Sequence, residues 1–370
     1  MLIDRCQPLY GTEILQTTRA EGRILSQDVA SAVSLPAFDR AAMDGFAVQS
    51  TKTSGARPHA PVFLERFLPI RTGMPVPPEY DAVMMLEDAN MHGSILEVTA
   101  QMHPYKNVSR VGEDISAGET VLSEGHTLRS PDLALLSALA IAEVHVYKRP
   151  KVAIIPTGSK LLEIGSRALL AGEAYEINGL MARLYAEKWG ASATKTGIVP
   201  DDEGLVREAL KANEDADLII IIGGTSIGER DYAPKVISDM GELLVHGVRL
   251  QPGKPTAIGT VAGKPVVCLP GYPVAMLSDL YLFVRPALQK IGHRKDLMPN
   301  VRAKLARKIP SRPGYLSLVR VALKDGEALP IMISGAGILS SVARADGFVV
   351  VSEEKEGVEA GETVDVLLFE

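Results

Sequence analysis

The sequence predicts a multidomain α/β plus β protein with a parallel α/β sheet domain at its centre. Three observations carry that prediction. From Lys151 to about residue 295, near-continuous apolar runs (VAIIP, DLIIII, PVVCL) alternate with helical patterns, as in a parallel sheet covered by helices on both faces. After His293-Arg294-Lys295 the rhythm stops, and VRAKLARKI, YLSLVRVALK, ALPIMIS, GFVVVSE and TVDVLLFE read as five strands, a set that suits a small C-terminal β-barrel or sandwich. Length is the third: 370 residues exceed one ordinary core, so several domains are expected.

Element by element, residues 1–30 read as helical, with Ile14, Ala20 and Ile24 near helical spacing and few breakers. From Val33 to about Lys106, short β-prone pieces (VFLERFLPI, AVMMLED, SILEVTA) are separated by Pro and Gly. They suggest a small all-β domain inserted into the helical N-terminal region. Ser130-Pro131-Asp132 opens a helix, with Ser as cap and Pro in the first turn. Its body, LALLSALAIA, is apolar on most sides and is expected to be buried. VAIIPTG is then a strand and turn, NGLMARLYAEKWG a helix ended by Gly190, and ASATKTGIV a strand. DDEGLVREALKANED is a helix with acids at its positive end, followed by the strand DLIIIIGG. The resulting domains are 1–32 with 107–150, 33–106, 151–295 and 296–370.

Composition narrows the function. A 46% hydrophobic content argues for a fully folded chain. Net charge is −6 with both signs mixed throughout, and no basic stripe points to nucleic acid. Cys6 and Cys268 are too few and too isolated for a disulfide framework or a zinc site. The start, MLIDRCQPLY, has no apolar signal core, and the longest apolar-rich run, residues 133–142, cannot span a bilayer. A soluble cytoplasmic protein with no membrane contact is expected. GxGxxG and HExxH are absent, and the histidines do not cluster with cysteines. Catalysis by acids, a Lys and Mg²⁺ fits better.

Three Gly/Pro-rich turns between Asp217 and Leu282 carry the chemistry: GGTSIGERD, PGKP and PGYP, each after a short apolar strand. In an open α/β sheet, ligands sit beyond the carboxyl ends of the strands. Gly223, Gly224, Gly228, Gly253 and Gly271 let backbone approach a ligand, and exposed N–H groups before a helix bind anions. With Ser226, Asp231, Lys254 and the rigid Pro270-Gly271-Tyr272-Pro273, these turns equip a pocket for a phosphate-bearing or oxyanionic ligand.

Five weaker constellations stand beside them. PAFDRAAMDGFAV sets Asp39 and Asp44 five residues apart; local chemistry favours an Asp-Gly turn closing a hairpin, and the functional alternative makes Asp44 a pocket acid. RTGMPVPP puts Thr72 on a stiff loop that either contacts a ligand or merely connects. RVGEDI, from Arg110, is a charged turn suited to surface salt bridges. Thr157-Gly158-Ser159-Lys160 offers N–H groups and an ammonium to phosphate, without Walker spacing. Pro200-Asp201-Asp202-Glu203 either caps a helix or holds Mg²⁺ with phosphate oxygens.

In this order, PAFDRAAMDGFAV, RTGMPVP, RVGEDISAG, PTGSKL, GGTSIGERDY, QPGKPTAIG and LPGYPVA resemble the molybdopterin molybdenumtransferase family (MoeA and the E domain of gephyrin). The motifs cover residues 36–276, and the terminal β segment fits that family's last domain. The resemblance implies an α/β domain of the molybdopterin-binding type and an elongated four-part homodimer, with 1–32 and 107–150 as its dimerisation region. It implies insertion of molybdate into adenylylated molybdopterin, with Mg²⁺-dependent loss of AMP. By motif match, Asp44, Asp201 and Asp231 are carried over as catalytic, the last two also as Mg²⁺ ligands. Thr72, Ser226, Lys254, Pro255, Pro270 and Pro273 are carried over to substrate or oxyanion binding, and Arg320 and Ser340 or Ser341, by a looser match, to molybdate.

Three positions depart from the family pattern. Ser159-Lys160 replaces the acidic pair of the usual TGDEL turn, Gln251 the first lysine of KPGKP, and Tyr272 the Asn of PGNP. They open two further readings: a tungstate-specific insertase, and a non-catalytic pterin-binding scaffold or carrier.

Overall fold

The structure, a computed structural model, describes residues 1–225, 232–331, 335 and 337–369. The chain forms two units, Met1–Glu13 with Tyr147–Glu370, and Ile14–Val146.

In the second unit the strand Gly45–Val48 runs antiparallel between Leu68–Ile70 and Ala82–Met85. Val62–Leu64, Ile95–Val98 and Ala89–His92 make another three-stranded sheet. Phe46, Val48, Met84, Leu96 and Val98 share one core, so the β-prone pieces do pair as sheets. The expected Asp-Gly hairpin turn does not form. Gly45 opens the central strand, and a Cβ there would strike the Met84 carbonyl. Close strand approach, not a turn, demands the glycine.

The helical reading of residues 1–30 is overturned. Leu2–Arg5 is a single helical turn, Thr12–Gln16 is a strand with alternating burial, and Thr17–Arg19 is one 3-10 turn. Thr12, Ile14, Thr17 and Thr18 are β-branched and stiff in a helix, and the burial of TEILQ alternates residue by residue as in a strand.

The helix at Ser130–Ala138 forms, with a different cap. Asp132 Oδ2 accepts from Arg129 N at 2.8 Å, while Ser130 Oγ donates to Glu21. The helix stops early, Ala140 takes a left-handed φ of 58°, and within the helix Leu136 is the buried leucine. LALLSALAIA is therefore not one buried helix.

The first unit contributes β1 (Lys151–Pro156), β2 (Ser192–Lys195), β3 (Leu218–Ile222), β4 (Gly241–His246), β5 (Leu250–Gln251), β6 (Ala257–Val261) and β7 (Lys264–Leu269). All but β5 form a six-stranded sheet ordered β2-β1-β3-β7-β6-β4. The first four are parallel, and β6 runs antiparallel to both β7 and β4. Helices α1 (Asn178–Lys188), α2 (Glu203–Lys211), α3 (Tyr232–Met240) and α4 (Pro273–Asp279) accompany them. Successive strand residues point to opposite faces, which builds two cores. Ile154, Ile220 and Val267 pack with Trp189 and Met276; Ile155, Ile221 and Cys268 pack with Val206 and Val236. Beyond α4 the helix widens into a π-turn at Leu280–Val284 before Arg285–Ile291. Pro286 has no N–H to give the carbonyl four residues earlier.

The five expected terminal strands are β8 (Asn300–Leu305), β9 (Leu316–Lys324), β10 (Glu327–Pro330), β11 (Gly347–Val351) and β12 (Thr363–Leu368). Ordered β9-β10-β8-β12-β11, they close into a barrel through β9–β11 pairing, around Leu305, Val321, Val349 and Val366. β5 adds to this barrel, parallel to β9. The PGKP turn therefore follows a barrel strand and not a strand of the parallel sheet, which corrects the expectation of three turns at consecutive strand ends. Two residues are too short an apolar run to reveal which sheet they join. Among the described residues, no helix is long and apolar enough to cross a membrane.

Candidate functional site

β1, β3 and β7 end side by side at Pro156, Ile222 and Leu269. Beyond them lies a cleft of about 800 Å³, where an open α/β sheet collects its ligands. Its lining includes Ser159, Lys160, Glu176, Asn178, Asp201 and Tyr272, with Pro273 at the start of α4.

Ser159 and Asp201 hold each other across this cleft. Ser159 N donates to Asp201 Oδ2 and Asp201 N donates to Ser159 Oγ, both at 2.9 Å. The neighbouring acids have other work: Asp202 caps α2 by accepting Leu205 N at 2.9 Å, and Glu203 pairs with Lys235 at 2.7 Å. Lys160 lies exposed on the cleft, and its ammonium has no hydrogen-bond or ion-pair partner among the described residues.

Two buried acceptors line the same cleft, and neither was singled out from the sequence. Glu176, 3% exposed, accepts Gly179 N on Oε1 at 2.6 Å. Its Oε2 lies 3.5 Å from Lys195 Nζ, close enough for an ion pair but without a hydrogen bond. Asn178 donates Nδ2 to the Gly271 carbonyl at 2.7 Å, which leaves Oδ1 buried and unpaired. Buried polar atoms nearly always find partners, so these two oxygens mark where a ligand's donors belong. The signal was the polar E-I-N-G at the entry to α1, which reads equally well as helix capping.

A smaller cleft of about 390 Å³ is lined by Gln251, Lys254, Pro255, Pro270, Tyr272 and Arg312, among others. Tyr272, 65% exposed, thus borders both clefts. Beneath the PGKP turn, Thr256 Oγ1 contacts the wholly buried Asp279. Burial pushes the Asp279 carboxyl well above the usual carboxylate range, against the opposing hydrogen bond from Thr256.

Asp44 and Thr72 come together in the other unit. Thr72 donates both its N–H and its hydroxyl to Asp44 Oδ1, at 2.7 and 2.9 Å, and these bonds hold the carboxyl below its ordinary value. In the RVGEDI turn, Glu113 accepts Arg110 N at 2.9 Å and the Arg110 guanidinium lies over the Tyr105 ring, in place of the expected salt bridge. Arg320 and Ser341 are buried, Ser340 is exposed, and none of the three lines either cleft. Desolvation holds the Arg320 guanidinium below its ordinary value. Ser226 and Asp231 lie outside the described residues. Among the described residues, no group of three His, Cys, Asp or Glu side chains is placed to hold a metal.

The parallel sheet with its strand-end cleft, followed by a closed barrel, defines a multidomain ligand-binding α/β protein. Residues 2–140 match the MoeA N-terminal region (domain I and II), 153–290 the "Probable molybdopterin binding domain" and 302–369 the MoeA C-terminal region (domain IV). A Methanocaldococcus jannaschii protein provisionally named for molybdopterin biosynthesis is 35% identical, over 95% of this chain and 90% of its own. The molybdopterin molybdenumtransferase of Haemophilus influenzae is 31% identical, over 97% of this chain and 94% of its own. The crystal structure of the molybdopterin biosynthesis MoeA protein from Pyrococcus horikoshii OT3 matches with a TM-score of 0.89 at 32% identity, covering 100% of this chain and 97% of that one. The chain belongs to the molybdopterin molybdenumtransferase (MoeA) family.

Proposed function

We propose that this chain, a transferase of molybdenum cofactor biosynthesis, inserts molybdate into adenylylated molybdopterin with Mg²⁺-dependent release of AMP, acting as a cytoplasmic homodimer. One observation carries the reading: the strand-end cleft sets two buried acceptors without hydrogen-bond partners, Glu176 Oε2 and Asn178 Oδ1, in the same lining as the Ser159-Lys160 turn. A pterin ring offers N–H donors to the first pair, and a phosphate suits the ammonium and N–H groups of the second.

Mg²⁺ binds through one or two carboxylates plus phosphate oxygens and keeps several waters, which the exposed Asp201 in this cleft suits. Asp201, with Asp231, would hold it, and the ion would supply neutralisation of phosphoanhydride charge. Asp201 is oriented for this by the Ser159 hydrogen bonds. Lys254 attracts the oxyanion, while Pro255, Pro270 and Pro273 stiffen the turns that receive it, with Ser226 as a further oxyanion contact. Asp44 and Thr72 keep their proposed roles as acid and substrate contact. Catalysis of this kind is positioning and electrostatics without a covalent nucleophile.

The unpaired Lys160 favours a second reading, a pterin-binding scaffold without turnover. Purified protein given adenylylated molybdopterin, Mg²⁺ and either molybdate or tungstate separates the cases. AMP release with molybdate is expected. Release with tungstate alone would mark a tungstate-specific insertase, and binding with no AMP release would overturn the transferase mechanism in favour of the scaffold.

A further inference from the structure

We propose that Tyr272 is a stacking platform for a planar nitrogen heterocycle bound in the strand-end cleft, and so a specificity-determining residue of that site. Three tyrosines line this cleft. Tyr175 and Tyr232 are half-buried, and the Tyr175 hydroxyl donates to the Arg167 carbonyl at 2.8 Å. Tyr272 is 65% exposed and is the one described residue that borders both clefts.

A lone exposed tyrosine is ordinary, but this one is held as a preformed surface. On one side of it in the chain, Asn178 Nδ2 donates to the Gly271 carbonyl at 2.7 Å. On the other, Pro273 opens α4, and Met276 N donates to the Tyr272 carbonyl at 2.9 Å. The ring rests against Gly337, where a Cβ would stand 3.2 Å from its Cδ1 and 3.4 Å from its Cε1. A ring fixed at its backbone and along one edge loses little freedom when a ligand arrives.

The ligand class follows from what surrounds the ring. Glu176 Oε2 and Asn178 Oδ1 are buried acceptors without hydrogen-bond partners in the same lining. Because Asn178 grips the carbonyl next to Tyr272, a ligand whose edge donors reach Asn178 lies beside the turn that carries the ring. Edge donors combined with a flat π face describe a pterin or a purine, and such a face stacks on an aromatic side chain whatever its substituents. A sugar or an aliphatic acid has no such face. That the heterocycle arrives as adenylylated molybdopterin rests on the proposed function; that the cleft takes a flat heterocycle does not.

Two probes separate the sources. The full chain is titrated with a free oxidised pterin, followed by the pterin's own fluorescence, and with AMP, followed by calorimetry. At least one should bind. Tyr272→Leu keeps bulk and removes the π face, and should weaken the stacked probe about tenfold, the scale of one base–aromatic stack. The probe whose affinity falls identifies the ring that Tyr272 faces. Tyr272→Phe keeps the face and should bind like the parent. The ring is exposed, so both substitutions spare the core. Parent-like affinity for both probes in Tyr272→Leu, a phenylalanine variant as weak as the leucine one, or no binding of either probe to the parent overturns the proposal. Failure of AMP release in the separate turnover assay would sink the molybdate-insertion reading and leave this result standing.

Discussion

The hydroxyl oxygen of Thr256 stands 2.6 Å from Asp279 Oδ2 and 2.8 Å from the Gly253 carbonyl oxygen. A hydroxyl has one proton, and a carbonyl oxygen only accepts. One proton cannot serve both contacts. The arrangement is consistent when Asp279 is itself protonated and donates to Thr256, which then donates to Gly253. Full burial favours the same state, because desolvation penalises the carboxylate. The relay fixes the PGKP turn from below, at a glycine whose φ is 132° and whose Cβ would collide with Asp279 Oδ1.

The pH dependence follows in sign. A folded pKa raised above the unfolded value gives stability that is complete below the unfolded pKa, about 3.9, and is lost as pH rises through the folded one. Asp279→Asn keeps a donor to Thr256 and removes the titration. In urea denaturation the variant should therefore gain on the parent as pH rises above the unfolded value of about 3.9, by at most about 1.4 kcal/mol per pH unit. Parallel stability curves would show that the folded carboxyl is ionised throughout.

Thr256→Val removes the centre of the relay while keeping its shape. It leaves the Gly253 carbonyl and the Asp279 carboxyl without their shared partner, at a cost of about 1–3 kcal/mol. Thr256→Ser should restore most of the loss. A valine variant as stable as the parent, measured by the same denaturation, would show that the relay contributes nothing to the fold.

Much of this architecture was legible because the apolar pattern was strong. Leu218–Ile222 and Lys264–Leu269 are buried almost throughout, and such runs mean a doubly covered sheet. The terminal strands alternate or run apolar between clear turns, and all five formed. Thr12–Gln16 was misread because its alternation is short and half-buried, giving no sharp period. The PGKP turn was assigned to the wrong sheet because Leu250–Gln251 pairs with residues more than sixty positions later, a partnership no local pattern encodes. Within the cleft, Ser159, Lys160 and Asp201 could be picked out as turn residues. Glu176 and Asn178 could not, since polar residues at a helix entry look like caps until the unpaired oxygens are seen.

Asp132 anchors the helix at Ser130–Ala138. It accepts Arg129 N, Nε and Nη2 at 2.8–3.0 Å and lies 2.7 Å from His126 Nε2. The Arg129 side chain is the chief reason its carboxyl is held well below the ordinary value. A depressed pKa gives stability present above the unfolded value, about 3.9, and lost as pH falls through the folded one. Asp132→Asn should cost about 2 kcal/mol at neutral pH, and the gap to the parent should shrink as the medium is acidified below about pH 4. A gap that stays constant on acidification would show that the carboxylate charge is irrelevant to this cap.

Lys160 stands where the family resemblance places an acid, and its neighbour Ser159 contacts Asp201 directly at 2.9 Å. Lys160 and Asp201 line the same cleft, so the ammonium shares it with the carboxylate proposed to receive Mg²⁺. A charge within the screening length, ~8 Å at physiological salt, is felt by the ion. A unit charge at such range opposes the divalent ion by about 1 kcal/mol even with water-like screening. Lys160→Ala should therefore tighten Mg²⁺ binding several-fold, and Lys160→Glu should tighten it further by turning repulsion into attraction. Calorimetric titration of Mg²⁺ in the presence of AMP reads this without turnover. The order expected is Glu tightest, then Ala, then the parent. Three identical titrations would mean that the ammonium points to solvent and does not touch the ion's field, and the scaffold reading would then lose the residue that favours it.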